Sequence, residues 1–549
     1  MTVPTEPLCV RRVRSASTNG VNQVTQTPKG LHGIGRVLLV AVLCLDTSCR
    51  NVPSSSVAPT AGVQVVPLPL SLSVETGAPF ALTDSSQILV EGGREAQSIG
   101  EIFASVLRPS TGMRLPVVPA SSGRERASIR LTLTSAASPE ADESYDLAVT
   151  SAGVRLSASR PAGLFRGVQT LRQLLPSDIE SHLGLSKRAW TIPAVTIRDA
   201  PRFPWRGVML DVARHFFTVK EVKQLIDFAA LYKLNVLHLH LSDDQGFRIA
   251  IASRPRLTGM GSGSQVGGGE GGFYTQADYS EIVRYAAERY ITVVPEIDMP
   301  AHANAAFIGY PELSCGTRPP AVYTGTDVGF SAFCVDKEES YALVDDIVRE
   351  LAAITPGKYL HVGGDEVHAL THPQYIKFVE RVQNIVAKYG KWMIGWEEIG
   401  KARLLPTTIA QQWNSDSITL ALRSGVKVLM SPSSRTYLDM KYNTETALGL
   451  NWAGYIDVRK AYDWDPATHI AGITEKDLVG VEAPLWSETV RNMGSANYLV
   501  STRLPALAEV AWSPQNARSW EDFRARLAMH ARRWEYLGVN YYRSAEIPW

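Results

Sequence analysis

The sequence predicts an α/β protein, a (β/α)8 TIM barrel preceded by a small α+β domain. Three observations carry that expectation. Beyond Pro201 the chain repeats short apolar runs of strand length, nearly continuous rather than alternating, as strands buried on both faces require. Amphipathic helical patterns fill several of the intervals, the arrangement of a parallel sheet covered by helices. Eight such runs occur in roughly 350 residues, the number at which a parallel sheet of this kind closes on itself.

In chain order the strand runs are Gly207–Val212, Val236–Leu241, Thr292–Ile297, Tyr359–Val362, Trp392–Trp396, Thr408–Gln412, Val426–Met430 and Leu478–Ala483. Helical periodicity marks Val219–Leu234, Asp278–Tyr290, Glu339–Ile354 and Gln374–Tyr389. An open doubly wound sheet is the competing architecture, but no Gly-rich phosphate loop follows the first strand. The Gly-rich stretch Gly259–Gly272 matches no nucleotide motif and is expected to be a mobile surface loop. Residues 63–199 alternate β-like runs (SIRLTLT, YDLAVTSAGVRLSA) with turn formers and include the helix-like LFRGVQTLRQLL. They form the small α+β domain, and residues 200–549 the barrel.

Residues 1–62 differ in texture. Arg11, Arg12 and Arg14, then Lys29 and Arg36, precede the apolar run Val37–Leu45 and the small, polar stretch Asn51–Gly62. That is the order of an export signal, so a secreted protein is expected. The basic region is long for a signal, which would put the true start after Met1. The apolar run is too short to anchor in a bilayer, and Leu43 before Cys44 is a poor lipoprotein signal. Cys9, Cys44 and Cys49 fall in this region, leaving Cys315 and Cys334. These two either form a disulfide, stabilising by roughly 3 kcal/mol, or remain buried thiols. Their spacing fits no metal motif. The 549 residues carry a formal net charge of +1, which supplies no bulk field for nucleic acid or an anionic membrane.

Active sites of this fold form at the carboxyl ends of the strands. The first strand runs into Asp211 and Arg214, the second into Asp243 and Asp244, and the third into Asp298 with His302 beyond. The fourth ends in Asp365–Glu366, the fifth in Trp396 and Glu397, and the sixth in Trp413. The seventh leads toward Tyr437 and Asp439, and the eighth into Trp486 and Glu488. A single Asp there is usually a helix cap, but caps do not account for one end of every strand. Aromatic walls, carboxylates and one arginine, with no phosphate cradle, suit a neutral polyhydroxylated ring: a sugar. Asp365–Glu366 is the expected reaction centre. Neighbours in an extended strand point to opposite faces, so a retaining pair about 5–5.5 Å apart is awkward unless the strand ends there. One carboxyl would then act as acid/base while the other holds another part of the substrate. A general acid at neutral pH needs its pKa raised, by burial or by nearby negative charge.

Two rivals have sequence support. His238-Leu-His240 places two histidines on one strand face, and His361 with Asp298 could complete a metal site. Inward histidines in a barrel are more often packed and hydrogen-bonded, so neither metal nor cofactor is expected. A sugar-binding protein without catalysis would not need both Asp365 and Glu366.

On RGVMLDVARHFFTVKEVKQLIDFAALYKLNVLHLHLSDDQGFRI, VVPEIDMPAHANAA, YLHVGGDEVH, TYLDMKY and EAPLWSE, the sequence resembles glycoside hydrolase family 20, the β-N-acetylhexosaminidases, especially bacterial secreted members. The likeness covers essentially all of Pro201–Trp549, and the preceding domain is similar to the small domain those enzymes carry. It implies exo-acting, retaining hydrolysis of terminal non-reducing N-acetylglucosamine or N-acetylgalactosamine from glycans or chito-oligosaccharides, through a substrate-assisted oxazolinium route. It implies that Glu366 is the proton donor, that Asp365 holds the acetamido N–H, and that Tyr437 donates to the acetamido oxygen. Trp396, Trp413 and Trp486 would wall the acetamido pocket, with Trp452 toward the leaving group. Arg214, Asp439 and Glu488 would bind ring hydroxyls, and Asp243 and His302 would form a hydrogen-bonded chain to Glu366. The resemblance also implies a Cys315–Cys334 bridge. Ala301 departs from the pattern, because related sequences usually have Gly before the His.

Overall fold

The computed structural model of the chain describes residues 63–123, 127–134, 142–184, 188–315 and 320–549. The expected export signal within residues 1–62 lies outside them. Among the described residues no helix is long and apolar enough to cross a membrane.

Eight parallel strands close into a barrel: Trp205–Asp211, Val236–His240, Thr292–Glu296, Tyr359–His361, Trp392–Trp396, Ile409–Gln412, Lys427–Met430 and Leu478–Leu485. The first pairs with the last, from Trp205 opposite Gly480 to Leu210 opposite Leu485. Every predicted strand is present, with no end displaced by more than two residues. Within a strand, alternate residues share a face, and the inward positions stack in layers. Trp205, Val236, Val294, Ile394, Ile409 and Leu429 form an apolar plug low in the barrel. The next inward positions are charged or polar.

The predicted helices form at Val219–Leu231, Gln276–Ala287, Glu338–Ile354 and His372–Lys388. Three of them start with a capping box, Thr218 with Glu221, Thr275 with Asp278 and Thr371 with Gln374; these reciprocal bonds satisfy otherwise orphaned backbone N–H groups. The barrel is less regular farther on. Single 3-10 segments, Glu397–Lys401 and Asp416–Ser424, replace the helices after the fifth and sixth strands.

The preceding domain is a mixed seven-stranded sheet with Ser71–Val74 at one edge and Val117–Pro119 at the other. Helices Gly93–Thr111 and Pro161–Leu174 pack against it. Only the second helix was expected. The first has no side-chain N-cap and contains Pro109, so its start is poorly marked, although Gly112 (φ 69) caps its end. This domain is tied to the barrel by buried charges. Glu143 accepts from Arg166 (2.6 Å) and Arg206 (2.7 Å), and Asp199 pairs with Lys233 (2.8 Å). Trp512, on a helix after the last strand, donates to Asp199 (2.8 Å).

The stretch Gly259–Gly272 is pinned, contrary to the expectation of a mobile loop. The buried Arg248 guanidinium donates to Ser262 O (2.7 Å), Ser264 O (2.6 Å) and Gly272 O (3.1 Å). It also reaches Val212 O and Ala213 O at the end of the first strand. An arginine carries five N–H donors, enough to satisfy an irregular backbone that has no ladder of its own. Cys315 and Cys334 are joined in a disulfide, which closes the base of a loop over the barrel mouth.

Candidate active site

The fourth strand stops at His361, and Gly363 (φ +67) and Gly364 (φ +99) turn the chain through left-handed conformations. A Cβ on Gly363 would lie 1.8 Å from Asp298 Oδ1, an oxygen that also accepts from Gly364 N–H (3.2 Å). Glu366 itself has φ +49 and His302 has φ +51, conformations costing about 1–3 kcal/mol each in a non-glycine residue. The turn overrides strand alternation and delivers Asp365 and Glu366 to the same mouth. The Asp365 side chain is 12% exposed and that of Glu366 is 29%, so Glu366 is the carboxyl with access to an incoming group.

His302 stands behind the pair, with Nε2 3.6 Å from Glu366 Oε2 and 3.8 Å from Asp365 Oδ2. Its Nδ1 lies 3.2 Å from Asp243 Oδ1, while Asp243 Oδ2 contacts Arg214 Nη2 (2.7 Å) and His240 Nε2 (3.0 Å). The expected chain from Asp243 through His302 is therefore assembled, but its last step is longer than a hydrogen bond and faces both carboxylates.

Burial pushes the Asp365 carboxyl up to about 6; His302 opposes this shift and Glu366 adds to it. Burial likewise holds Asp298 well above the carboxylate range, with Asp365 reinforcing it. For Asp243 burial acts in the same direction, but Arg214 and His302 outweigh it and keep the group well below the usual range. Burial and Asp439 hold the Tyr437 hydroxyl protonated, ready to donate.

Five aromatic side chains line the mouth in sequence. Ring centroids are 5.7 Å apart for Trp396–Trp486, 6.4 Å for Trp486–Tyr437, 5.7 Å for Tyr437–Trp452 and 6.0 Å for Trp452–Trp413. Trp452 is 53% exposed and forms the rim; Trp396 is fully enclosed. The Arg214 guanidinium lies over Trp486, 4.8 Å from its centroid. Both oxygens of Asp439, Glu488 Oε2, Asp365 Oδ1 and Arg214 Nε are buried without a hydrogen-bond partner. Such groups are costly unless a ligand pairs them. Glu488 acts on Asp439, and Arg214 on Glu488, so the three charged groups share one corner. Beside Glu366 the disulfide-closed loop brings up exposed Val328 and Phe330; a Cβ on the intervening Gly329 would lie 3.0 Å from Glu366 O.

The structure thus gathers every site residue predicted from the sequence into one mouth, while other strand-end carboxylates turn mainly to loop N–H groups, Asp211 still touching Arg214 (3.5 Å) and Asp244 lying 3.9 Å from His302. Asp211 accepts from the N–H groups of Ala213, Arg214 and Ser487. Asp244 accepts from Asn304 N–H and the Ser331 hydroxyl. Glu397 takes the N–H groups of Trp413, Asn414 and Ser415. These three brace loops. Sequence reading missed Glu398, whose carboxylate accepts from Trp413 Nε1 (3.2 Å) and which burial pushes up to about 8. It also missed Glu296 and Glu482, which lie inside the barrel. Their signal was a lone charge within an otherwise apolar strand run. The paired histidines of the second strand contact these carboxylates: His238 Nδ1 lies 2.8 Å from Glu482 and His240 Nδ1 2.5 Å from Glu296.

The family described as "Glycosyl hydrolase family 20, catalytic domain" matches residues 203–375 and 369–515, and "Glycosyl hydrolase family 20, domain 2" matches residues 62–200. A beta-N-acetylhexosaminidase of Cellulomonas fimi is 43% identical over 491 residues, covering 89% of this chain and 97% of that protein. The solved GH20 beta-N-acetylhexosaminidase of Streptomyces coelicolor A3(2) has a TM-score of 0.85 at 49% identity, covering 90% of this chain and 99% of that one. A mutant Streptomyces plicatus beta-hexosaminidase, solved in complex with product (GlcNAc), has a TM-score of 0.85 at 48% identity, with the same coverage.

Proposed function

The chain belongs to glycosyl hydrolase family 20 and is a β-N-acetylhexosaminidase, and from that premise we propose that it removes terminal non-reducing N-acetylglucosamine or N-acetylgalactosamine, with retention, by substrate-assisted catalysis. The observation that carries this is the placement of Asp365 and Glu366 side by side on one turn, next to an aromatic box. Such a pair does not face itself across a scissile bond, so the nucleophile comes from the sugar.

Glu366 protonates the glycosidic oxygen as the bond to C1 breaks. The acetamido oxygen of the same sugar attacks C1, forming a cyclic oxazolinium ion. Asp365 accepts the acetamido N–H and balances the developing positive charge, while the Tyr437 hydroxyl donates to the acetamido oxygen. Glu366 then takes a proton from water, which opens the ring and restores the β-configuration. Attack from within the substrate exploits effective molarity. Trp396, Trp413 and Trp486 enclose the acetamide. Arg214, Asp439 and Glu488, which leave Nε, both carboxylate oxygens and Oε2 respectively without partners, pair with ring hydroxyls. Trp452, with Val328 and Phe330, offers an apolar rim to the leaving group. The enclosure of Trp396 deep in the mouth, with loop residues Val328 and Phe330 beside Glu366, supports exo-action on glycans such as chito-oligosaccharides. The signal-like texture of residues 1–62 supports export, and N-terminal sequencing of protein recovered from culture medium tests that.

The decisive assay is hydrolysis of p-nitrophenyl N-acetyl-β-glucosaminide and galactosaminide beside the matching β-glucoside. The glucoside is expected to be slower on the order of 10^5-fold or more, since it lacks the internal nucleophile. Glu366→Gln is expected to lose roughly 10^2–10^4-fold in kcat. Equal rates on the glucoside, or an active Glu366→Gln, would overturn the assignment.

A further inference from the structure

Between the apolar plug and the mouth, the barrel interior carries charged side chains that the reaction above leaves unused. Glu296 stands at their centre, fully buried. Its Oε2 lies 2.5 Å from His240 Nδ1 and 3.1 Å from His238 Nε2; its Oε1 accepts from Trp396 Nε1 (3.0 Å) and lies 2.8 Å from His361 Nδ1. The His240 and Trp396 contacts are hydrogen bonds, while the His238 and His361 nitrogens stand within ion-pair distance of the same carboxylate.

From Glu296 the contacts climb toward the substrate. His240 presents Nε2 to Asp243 (3.0 Å), and Asp243 in turn holds His302 Nδ1 (3.2 Å), whose far nitrogen faces Glu366. Carboxylates flank both nitrogens of His240. Burial opposes its charge, but Glu296 and Asp243 outweigh burial and hold its pKa well above the ordinary histidine range. His240 therefore donates in both directions. Well-packed apolar residues would fill a barrel interior as stably as buried ion pairs, or more so, so packing alone does not account for this column. Its geometry has a direction: one end grips a wall of the acetamido pocket, the other the histidine behind the proton donor.

We propose that Glu296 is a positioning residue for the reaction, fixing Trp396 directly and fixing His302, through His240 and Asp243, in its orientation behind Glu366. The proposal rests on Glu366 being the proton carrier. Without the Glu296 carboxylate, His240 has no acceptor at Nδ1, its hold on Asp243 loosens, and His302 can turn away.

Glu296→Gln separates the two branches. Its carbonyl oxygen can still accept from Trp396, but its NH2 then meets His240 Nδ1. The variant is expected to lose roughly 10–100-fold in kcat with little change in KM for the N-acetyl-β-glucosaminide. In a His302→Gln background the same change is expected to cost less than about threefold, because the links act in series. Unchanged kcat in Glu296→Gln, or losses that multiply fully in the double variant, would overturn the proposal. A purely structural Glu296 would lower Tm and raise KM without that coupling. Should Glu296→Gln not fold, His240→Gln cuts the same link and is read through the same cycle. Glu366→Gln is assayed alongside. If it stays active, the acid assignment fails and the proposal with it; if it is dead beside a fully active Glu296→Gln, the proposal alone fails.

Discussion

Asp365 sets the pH behaviour expected of the enzyme. Its carboxyl is pushed up to about 6 by burial, with His302 opposing and Glu366 adding. Below that value the group is protonated; it is then a weaker acceptor for the acetamido N–H and cannot balance the charge of an oxazolinium ion. In the free enzyme, kcat/KM should therefore fall as pH drops through about 6, rather than through the ordinary carboxylate range. Asp365→Asn cannot ionise, so its residual kcat/KM should lack that acid limb. A pH–rate profile of both proteins checks this, and an unchanged limb in the variant would assign the titration elsewhere. The placement of Glu366, Asp365, Tyr437, Trp396, Trp413 and Trp486 at the mouth was open to a sequence reader because strand-end position and residue type coincide there. Asp211, Asp244 and Glu397 meet the same criterion and yet brace loops. What distinguishes them is which N–H groups their oxygens meet, and residue type is silent on that.

At the scale of elements, the mouth is made of turns held by side chains rather than by ladders. Arg248 is the main example, with backbone carbonyls of the 259–272 segment on one side and those of Val212 and Ala213 on the other. Val266 N–H also bonds Arg214 O (2.9 Å), so the pinned segment supports the arginine of the sugar corner. Arg248→Met keeps most of the side-chain bulk and removes every donor. It is expected to release the segment to limited proteolysis near Gly267 and to raise KM more than it lowers kcat. Protection equal to the parent would show that the loop holds itself. The eight strands were readable from apolar runs because a parallel barrel buries both faces of each strand. The Gly-rich segment was misread for an equally physical reason: composition reports the freedom of an isolated segment, while Arg248 acts from outside it, 14 to 24 residues before the carbonyls it binds there.

For the whole molecule, buried ion pairs join the sheet domain to the barrel. Burial would raise the Glu143 carboxyl, but Arg206 and Arg166 outweigh it and lower it from 4.5 to about 2. Burial lowers Arg206 itself, yet an arginine stays charged throughout this range, so the proton that titrates is that of Glu143. A carboxyl depressed in the folded state contributes stability that is complete above its unfolded value. That stability is lost as pH falls from about 4.5 toward about 2. Glu143→Gln leaves two buried guanidiniums without a charge partner, and a loss of about 3–5 kcal/mol is expected. Thermal melts at pH 7 measure the loss. Melts between pH 5 and 2 should show that the variant has given up this part of the parent's acid sensitivity. An unshifted Tm would mean that the domain contact does not depend on the pair.

By itself the sequence determined the closed parallel barrel, the small domain before it and the residues gathered at one end. Those follow from local periodicity and from the rule that strand ends share a face of the barrel. Only the tertiary structure decided how Asp365 and Glu366 come to face the same way, because that depends on a left-handed turn fitted against Asp298. It also decided that the histidines of the second strand are held by Glu296 and Glu482. Those partners lie 56 and 244 residues away in the chain, and no local pattern relates residues so far apart.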